Sequence, residues 1–283
     1  MGTVLMKSLL IEKEIATLFI TSKCNQNCII CPQELGSFTL ALSDFLVECN
    51  EVSWNTIKAL YITGGEPLLE QNLITEILHT IPEHLEVYIL TNGLIPVEDA
   101  LLKDKRIKFC IPLYGSCSTV HNQVTQHDSF IPLLTNLYYL GSNNCRIEIR
   151  TVLASFNIHK LMEFSRFIAM NLPFAENIAF MGMELVEAAR RNIDNIFVNQ
   201  TLFVPELIES IQFLNSCQIG AFIYNFPLCY FPGSMHKYLI DSISPRKKYF
   251  PPFCNGCLNK DLCPGFFRTN KNYIESKGGF YHA

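Results

Sequence analysis

Cys24, Cys28 and Cys31 stand in a C-x3-C-x2-C spacing directly after the apolar run Ile15 to Ile20. Cysteine thiolates hold iron–sulfur clusters. Three of them in one tight loop can hold three irons of a four-iron cluster and leave the fourth open to a small molecule. A zinc loop is the competing metal reading. Structural zinc, however, takes four ligands, with C-x2-C spacing, and no fourth Cys or His lies nearby in the chain. Three ordinary loop cysteines are the remaining alternative. A second set has a different character: Cys254, Cys257 and Cys263 follow a C-x2-C-x5-C spacing, with Cys229 upstream. Four thiolates would close a cluster completely and leave no open iron. Here the alternative is a zinc ribbon, and the first set favours iron–sulfur loading for the second.

These loops need elements to position them. Apolar or Thr/Ser-rich runs at 15–22, 57–63, 85–90, 107–114, 145–153 and 177–182 read as strands, the first as one buried on both faces. Helical spacing of apolar residues falls at 68–78, 131–140, 159–170 and 202–214. Ser43 and Asp44 are expected to cap a helix through Val47, and Gly141 to stop the one before it. Six strand–helix units predict an α/β fold with a parallel sheet and right-handed crossovers, as an open sheet or an incomplete barrel. Ligands gather at the carboxyl ends of such strands. There the chain places the cysteine loop, Gly64-Gly65-Glu66-Pro67, Thr91-Asn92-Gly93 and Tyr114-Gly115-Ser116. After about residue 200 Pro, Gly, Lys and Cys dominate. The expected division is therefore a core over 1–200 and a small cysteine-rich extension over 201–283. The stretch from Asn270 to Ala283 reads as a loose tail with one strand.

The whole chain sets bounds. With 283 residues, 49% of them hydrophobic and 17% charged, a well-covered core is expected and disorder is not. A net charge of -4 offers no electrostatic argument for nucleic acid or an anionic membrane. Twelve cysteines, one Lys and no long apolar core in Met1 to Leu10, and no apolar run long enough to span a bilayer point to a reducing, cytoplasmic setting.

C-x3-C-x2-C after the first strand, Gly-Gly-Glu-Pro after the second and Thr-Asn-Gly after the third together resemble the radical S-adenosylmethionine (SAM) enzymes, over roughly residues 15–185. The resemblance implies a partial (β/α)6 TIM-like barrel and a 4Fe-4S cluster on Cys24, Cys28 and Cys31. It implies that S-adenosylmethionine bound at the open iron is cleaved to a 5′-deoxyadenosyl radical. It assigns Gly64 and Gly65 to close backbone approach to the methionine part, Glu66 to its ammonium and Arg150 to its carboxylate. Ile30, Met181 or Gly182 then lie against adenine, and Asn92 reaches the ligand from the third strand.

Residues 180–267 resemble the maturases of the His-Xaa-Ser repeat peptide systems, the type named HxsC. The resemblance rests on Phe222 to Cys229, Asp241 to Ser244, Gly182-Met183-Glu184 with Ala189 to Asn192, and the three-cysteine run ending in Phe266-Phe267. Pro264 departs from the glycine usual there. This implies a ribosomal precursor peptide as substrate, an auxiliary 4Fe-4S cluster on Cys229, Cys254, Cys257 and Cys263 with zinc as the alternative, and a low-potential electron donor such as a ferredoxin or flavodoxin. A second radical SAM enzyme is a further expected partner.

Cys117, at the mouth of the fourth strand, is a candidate donor of a hydrogen atom back to a substrate radical. Most of the remaining cysteines, Cys49, Cys110, Cys145 and Cys217 among them, read as small buried residues, and His121 and His127 as capping or surface residues. The aromatics from Phe222 to Phe231 read as core. Two competing functions stand beside the peptide reading. One is radical chemistry on a small molecule or nucleotide. The other is a non-enzymatic iron–sulfur or zinc protein, which has no use for a SAM pocket.

Overall fold

In the computed structural model residues 8–276 are described, and they divide into two compact units that interleave along the chain. The first comprises residues through Asn27, Gln33–Pro112 and Ile131–Glu148; the second comprises Cys28–Pro32, Leu113–Phe130 and the chain from Ile149 onward.

In the first unit β1 (Leu9–Glu12) runs antiparallel to β2 (Ile15–Thr21). Strands β3 (Ala59–Gly64), β4 (Glu86–Leu90) and β5 (Ile107–Pro112) then add in parallel, each to its predecessor. Alternation makes the sheet face: Ala16, Leu18 and Ile20 of β2 are fully buried, while Thr17 and Phe19 between them are half-buried. The expected burial on both faces is therefore only partial. The crossover helix Gln71–Thr80 buries Ile74, Ile77 and Leu78, one stripe at helical spacing.

Strand β6 (Arg146–Val152) has its first three residues in the first unit. In the second unit β7 (Asn177–Met181), β8 (Gly220–Tyr224) and β9 (Leu239–Ile240) pair in parallel, with helix Val204–Ser216 as the crossover from β7 to β8. Farther on, β10 (Lys248–Tyr249) and β11 (Phe266–Phe267) form a two-stranded antiparallel ladder that brackets Cys254, Cys257 and Cys263. A core of this unit is built from Ile30, Tyr114, Val124, Met183, Leu185 and Ile196.

The α/β class and the expected strand–helix alternation are present, with more strands than the six expected. Strands β1 and β9 have four and two residues, too short to declare a period of two, and the five-residue β8 merges into the apolar stretch after it. The helices Asp99–Lys103 and Ser118–Thr125 were hidden by their shortness. Ser43 and Asp44 lie inside helix Leu42–Asn50, whose N-cap is Ala41 without a side-chain bond; Asp44 instead places its charge in the first turn. Gly141 lies inside helix Phe130–Ser142, and Asn144 takes the left-handed backbone, φ 53°, beyond it. The expected loose tail begins as a short helix, Lys271–Ser276; its last seven residues, like the first seven of the N-terminal reading, lie outside the described residues.

The tightest backbone approach is at the end of β3. A Cβ on Gly65 would sit 2.1 Å from the Lys23 carbonyl oxygen, whereas one on Gly233 would meet nothing within 4 Å. Gly65→Ala is expected to destabilise the chain by about 2 kcal/mol or more, read as a fall of roughly 4 °C or more in apparent Tm. Gly233→Ala should move it little. Equal Tm values for the two variants would contradict this packing.

Candidate functional site

The first unit joins three motifs by hydrogen bonds. After β3 the Gly65 N–H donates to the Thr21 carbonyl (2.6 Å) and the Glu66 N–H to the Lys23 carbonyl (2.7 Å), so the turn is laced onto the chain leading into Cys24. Glu66 is fully buried. Its Oε1 accepts from Leu68 N–H (2.9 Å) and Thr91 Oγ1 (2.7 Å), and its Oε2 accepts from Asn92 N–H (2.6 Å). Burial raises its pKa to about 7, against the pull of these three donors. The Asn92 side chain continues the network. Its Nδ2 donates to Asn25 Oδ1 (2.6 Å) and reaches Cys24 Sγ at 3.9 Å, while its Oδ1 accepts from Leu94 N–H (3.0 Å). The Gln26 N–H also points at Cys24 Sγ (3.4 Å). Cys24 thus has two N–H donors aimed at its sulfur. Glu66, expected as an open acceptor for an ammonium, instead spends its carboxylate on clamping the turns after β3 and β4 together.

In the second unit the Cys28–Cys31 segment is held by its backbone. Ile29 N–H donates to the Val124 carbonyl (2.9 Å) and Ala188 N–H to the Cys31 carbonyl (3.3 Å), while Asn192 Nδ2 donates to the Ile29 carbonyl (3.1 Å). Ile30 is 7% exposed and packs with Tyr114, Met183 and Leu185. The buried Tyr114 phenol is pushed well above its usual value, by burial first and then by Cys28 and Cys31 close by.

His121, read from sequence as capping or surface, is fully buried. It stacks on Tyr114 at 5.6 Å, takes the Tyr114 N–H on Nδ1 (3.4 Å), and is pushed down to about 4 by burial, so the ring is neutral. The signal available in the sequence was its place between Val120 and Val124 in a helix too short to recognise.

Arg150 is half-buried on β6. At the end of β7 the Met181 carbonyl accepts from Leu153 N–H (2.9 Å) and Gly182 N–H donates to the Tyr224 carbonyl (2.9 Å). Cys117 is half-buried at the start of helix Ser118–Thr125. Of the remaining cysteines, most of which were expected to be buried, Cys49 and Cys110 are buried, Cys145 is half-buried and Cys217 is exposed. None of the twelve is in a disulfide.

The second cysteine set surrounds one cavity of about 210 Å³, lined by Cys229, Cys254, Cys257 and Cys263 with Phe231, Phe250, Phe266 and His236. Burial first, and then Cys263, Cys254 and Cys257, push the Cys229 thiol up to about 11. Leu228 N–H and Gly265 N–H both point at Cys263 Sγ, each at 3.4 Å. His236 turns its Nε2 to the Leu228 and Phe231 carbonyls (3.2 and 3.3 Å), bracing the Cys229 turn. Among the described residues no three Cys, His, Asp or Glu side chains stand together as a group that could hold a metal ion, at this set or at Cys24, Cys28 and Cys31.

No family model matches the chain. It is similar to the GTP 3′,8-cyclases of two Clostridium perfringens strains, 24% identical in both, over 62% and 64% of this chain and 56% and 63% of theirs. The chain therefore spans about three-fifths of the length of the curated relatives it matches. Among solved structures it resembles Streptococcus suis SuiB bound to precursor peptide SuiA, with a TM-score of 0.62 and 14% identity, over 86% of this chain and 54% of that one. It also resembles anSMEcpe with bound AdoMet and a peptide, with a TM-score of 0.60 and 16% identity, over 73% and 63%. At these identities the likeness establishes the fold, a partial barrel of the expected class.

Glu66 gives a measurable pH dependence. Its folded-state value, about 7, lies above the ordinary 4.5, so its contribution to stability is complete below about pH 4.5 and is lost as pH rises through about 7. The loss amounts to about 3 kcal/mol at most. Between pH 5 and pH 8 the wild-type apparent Tm should fall. Glu66→Gln should start lower, because its amide NH2 confronts a backbone N–H, but lack that component of the slope. A variant retaining the whole wild-type slope would refute the assignment.

Proposed function

We propose that this chain, whose fold is that of the radical SAM superfamily, is an enzyme that reductively cleaves S-adenosylmethionine and modifies a ribosomally made peptide. The observation that carries the reading is the hydrogen-bonded path from Glu66 through Asn92 to Cys24, which joins the turns after β3 and β4 to the first cysteine of the loop. Cys24, Cys28 and Cys31 would hold a 4Fe-4S cluster with one open iron. When bound there, that cluster supplies the electron that splits the sulfonium into methionine and a 5′-deoxyadenosyl radical.

The chain's own residues bind and orient. Gly64 and Gly65 let the backbone approach the methionine part, and Glu66 positions Asn92 beside Cys24. Arg150 would take the carboxylate through a bidentate pair, and Ile30 and the backbone of Met181 and Gly182 would flank adenine. Cys117 would return a hydrogen atom to the substrate. Cys229, Cys254, Cys257 and Cys263 would close an auxiliary 4Fe-4S site in the extension, residues 201–283, attached to the reactive core over 1–200.

The peptide substrate is supported by likeness to SuiB and anSMEcpe, both solved with peptides bound. The SuiB match reaches 86% of this chain, whereas the cyclase matches reach 62–64%. Those cyclases favour the second reading, chemistry on a nucleotide. The finer reading, a His-Xaa-Ser maturase acting beside a ferredoxin or flavodoxin and a second radical SAM enzyme in the cytoplasm, rests on the resemblance over 180–267. No helix among the described residues is long and apolar enough to cross a membrane.

Anaerobically reconstituted protein with dithionite and S-adenosylmethionine should release 5′-deoxyadenosine. The variant carrying Cys24→Ala, Cys28→Ala and Cys31→Ala should release none, and equal release from both would sink the proposal. Iron analysis should find about eight irons per chain, from two four-iron clusters; about four irons with one zinc would assign zinc to the second site.

A further inference from the structure

Past β7 the chain leaves the sheet at Gly182 and turns toward the helix Glu187–Arg191. Buried peptide groups need partners, and two in this loop find the same side chain. Leu185 N–H donates to Asn270 Oδ1 (2.8 Å), and Asn270 Nδ2 donates to the Met183 carbonyl (2.9 Å). Both bonds are buried, and Asn270 lies 85 residues along the chain from Leu185. Only a side-chain amide offers an acceptor and a donor side by side, so neither Asp nor Leu could make both bonds.

The two ends of this clasp lead to the two cysteine sets. Met183 and Leu185 share one apolar cluster with Ile30, which stands between Cys28 and Cys31, and Ala188 N–H donates to the Cys31 carbonyl (3.3 Å). On the other side Asn270 follows Cys263 by seven residues, and the stretch between them is held along its length. Gly265 N–H points at Cys263 Sγ (3.4 Å), and Phe266 and Phe267 pair with Tyr249 and Lys248. Arg268 donates to the carbonyls of Arg246 and Lys248 (3.2 and 3.1 Å). Tyr273, one turn past Asn270, packs against the Ile30 cluster. All of these residues belong to the second unit.

We propose that Asn270 is a positioning residue that couples the four-cysteine site to the cofactor site: a metal group held by Cys229, Cys254, Cys257 and Cys263 fixes, through Asn270, the loop beside S-adenosylmethionine. This rests on reading Cys24, Cys28 and Cys31 with Met181 and Gly182 as the cofactor site. A metal group on four cysteines ties a segment of short turns, Pro252–Cys254 and Lys260–Leu262, to Cys229 and removes its conformational freedom. Without that tie β11 and Asn270 lose a constraint, and the Met183–Leu185 loop is less ordered against Ile30. Coupling of this kind is reciprocal, so S-adenosylmethionine in turn tightens the second site. A merely structural clasp would hold the loop equally whatever the cysteines carry.

The test uses the full chain, reconstituted anaerobically, with S-adenosylmethionine as the probe. Asn270→Ala should raise its dissociation constant about tenfold, with iron content unchanged. Lys247→Ala, which removes only a pair to Glu184 at the surface of the same loop, should change it less than about twofold. Cys254→Ser with Cys257→Ser empties the second site, read as the loss of about four irons or of one zinc, and should weaken binding by the same factor as Asn270→Ala. Combining all three substitutions should weaken it no further, because both changes act through one path. Amide hydrogen exchange over residues 183–189 should quicken in the Asn270 and cysteine variants and stay unchanged in Lys247→Ala.

An unchanged dissociation constant in Asn270→Ala overturns the proposal. So do losses that add in the combined variant, which would make the two sites independent. Failure of the function reading looks different, since the unaltered chain would then bind no S-adenosylmethionine. The exchange measurement decides in that case: quickened exchange in both the Asn270 and the cysteine variants keeps the coupling to the loop, and unchanged exchange removes it.

Discussion

A single buried carboxylate organises the first unit. Glu66 has no exposed surface, and taking a carboxylate out of water is expensive unless donors replace its hydration. Three do: the N–H groups of Leu68 and Asn92 and the Thr91 hydroxyl. Because two of these belong to the turn after β4, the carboxylate cannot be satisfied unless that turn stands beside the turn after β3. The same bond to Asn92 N–H sets where its side-chain amide can go, and that amide ends on Asn25 and Cys24. Gly65, pressed against the Lys23 carbonyl, leaves the room this arrangement needs.

The second unit holds its cysteines by other means. Cys28 and Cys31 ride on a segment whose peptide groups bond to Val124, Ala188 and Asn192 and whose Ile30 is buried in an apolar cluster. Cys229, Cys254, Cys257 and Cys263 ride on short turns closed by the β10–β11 ladder, with N–H groups aimed at sulfur. The contrast is physical: at Cys24 side chains and a buried acid define the surroundings, whereas the four-cysteine cavity depends on main-chain turns, with Phe231 and Phe266 buried in its wall and Leu258 and Leu262 turned to solvent.

Much of the site was legible because its signals are local. A cysteine spacing, a Gly-Gly-Glu-Pro turn and a Thr-Asn-Gly turn survive in the linear chain, and each follows an apolar run long enough to read as a strand. His121 was not legible, because its burial comes from Tyr114 and Phe130, remote from its own pattern. Glu66 was legible as important, but the donors that hold it were not, since they lie partly 25 and 26 residues away. Strand β9 was missed because two residues carry no period, and β8 because its residues merge into the apolar and aromatic stretch that follows.

The sequence by itself determined the class of fold, the two cysteine sets and the places along the chain where ligands gather, because these follow from residue type and short spacing. Only the tertiary structure decided what each group is free to do. It closed the Glu66 carboxylate around internal donors, buried His121 as a neutral ring, gathered Cys229 with cysteines 25 to 34 residues later around one cavity, and left Leu258 and Leu262 in water. Solvent access and hydrogen-bond partners are properties of contacts between distant residues, and no local pattern in a chain encodes them alone.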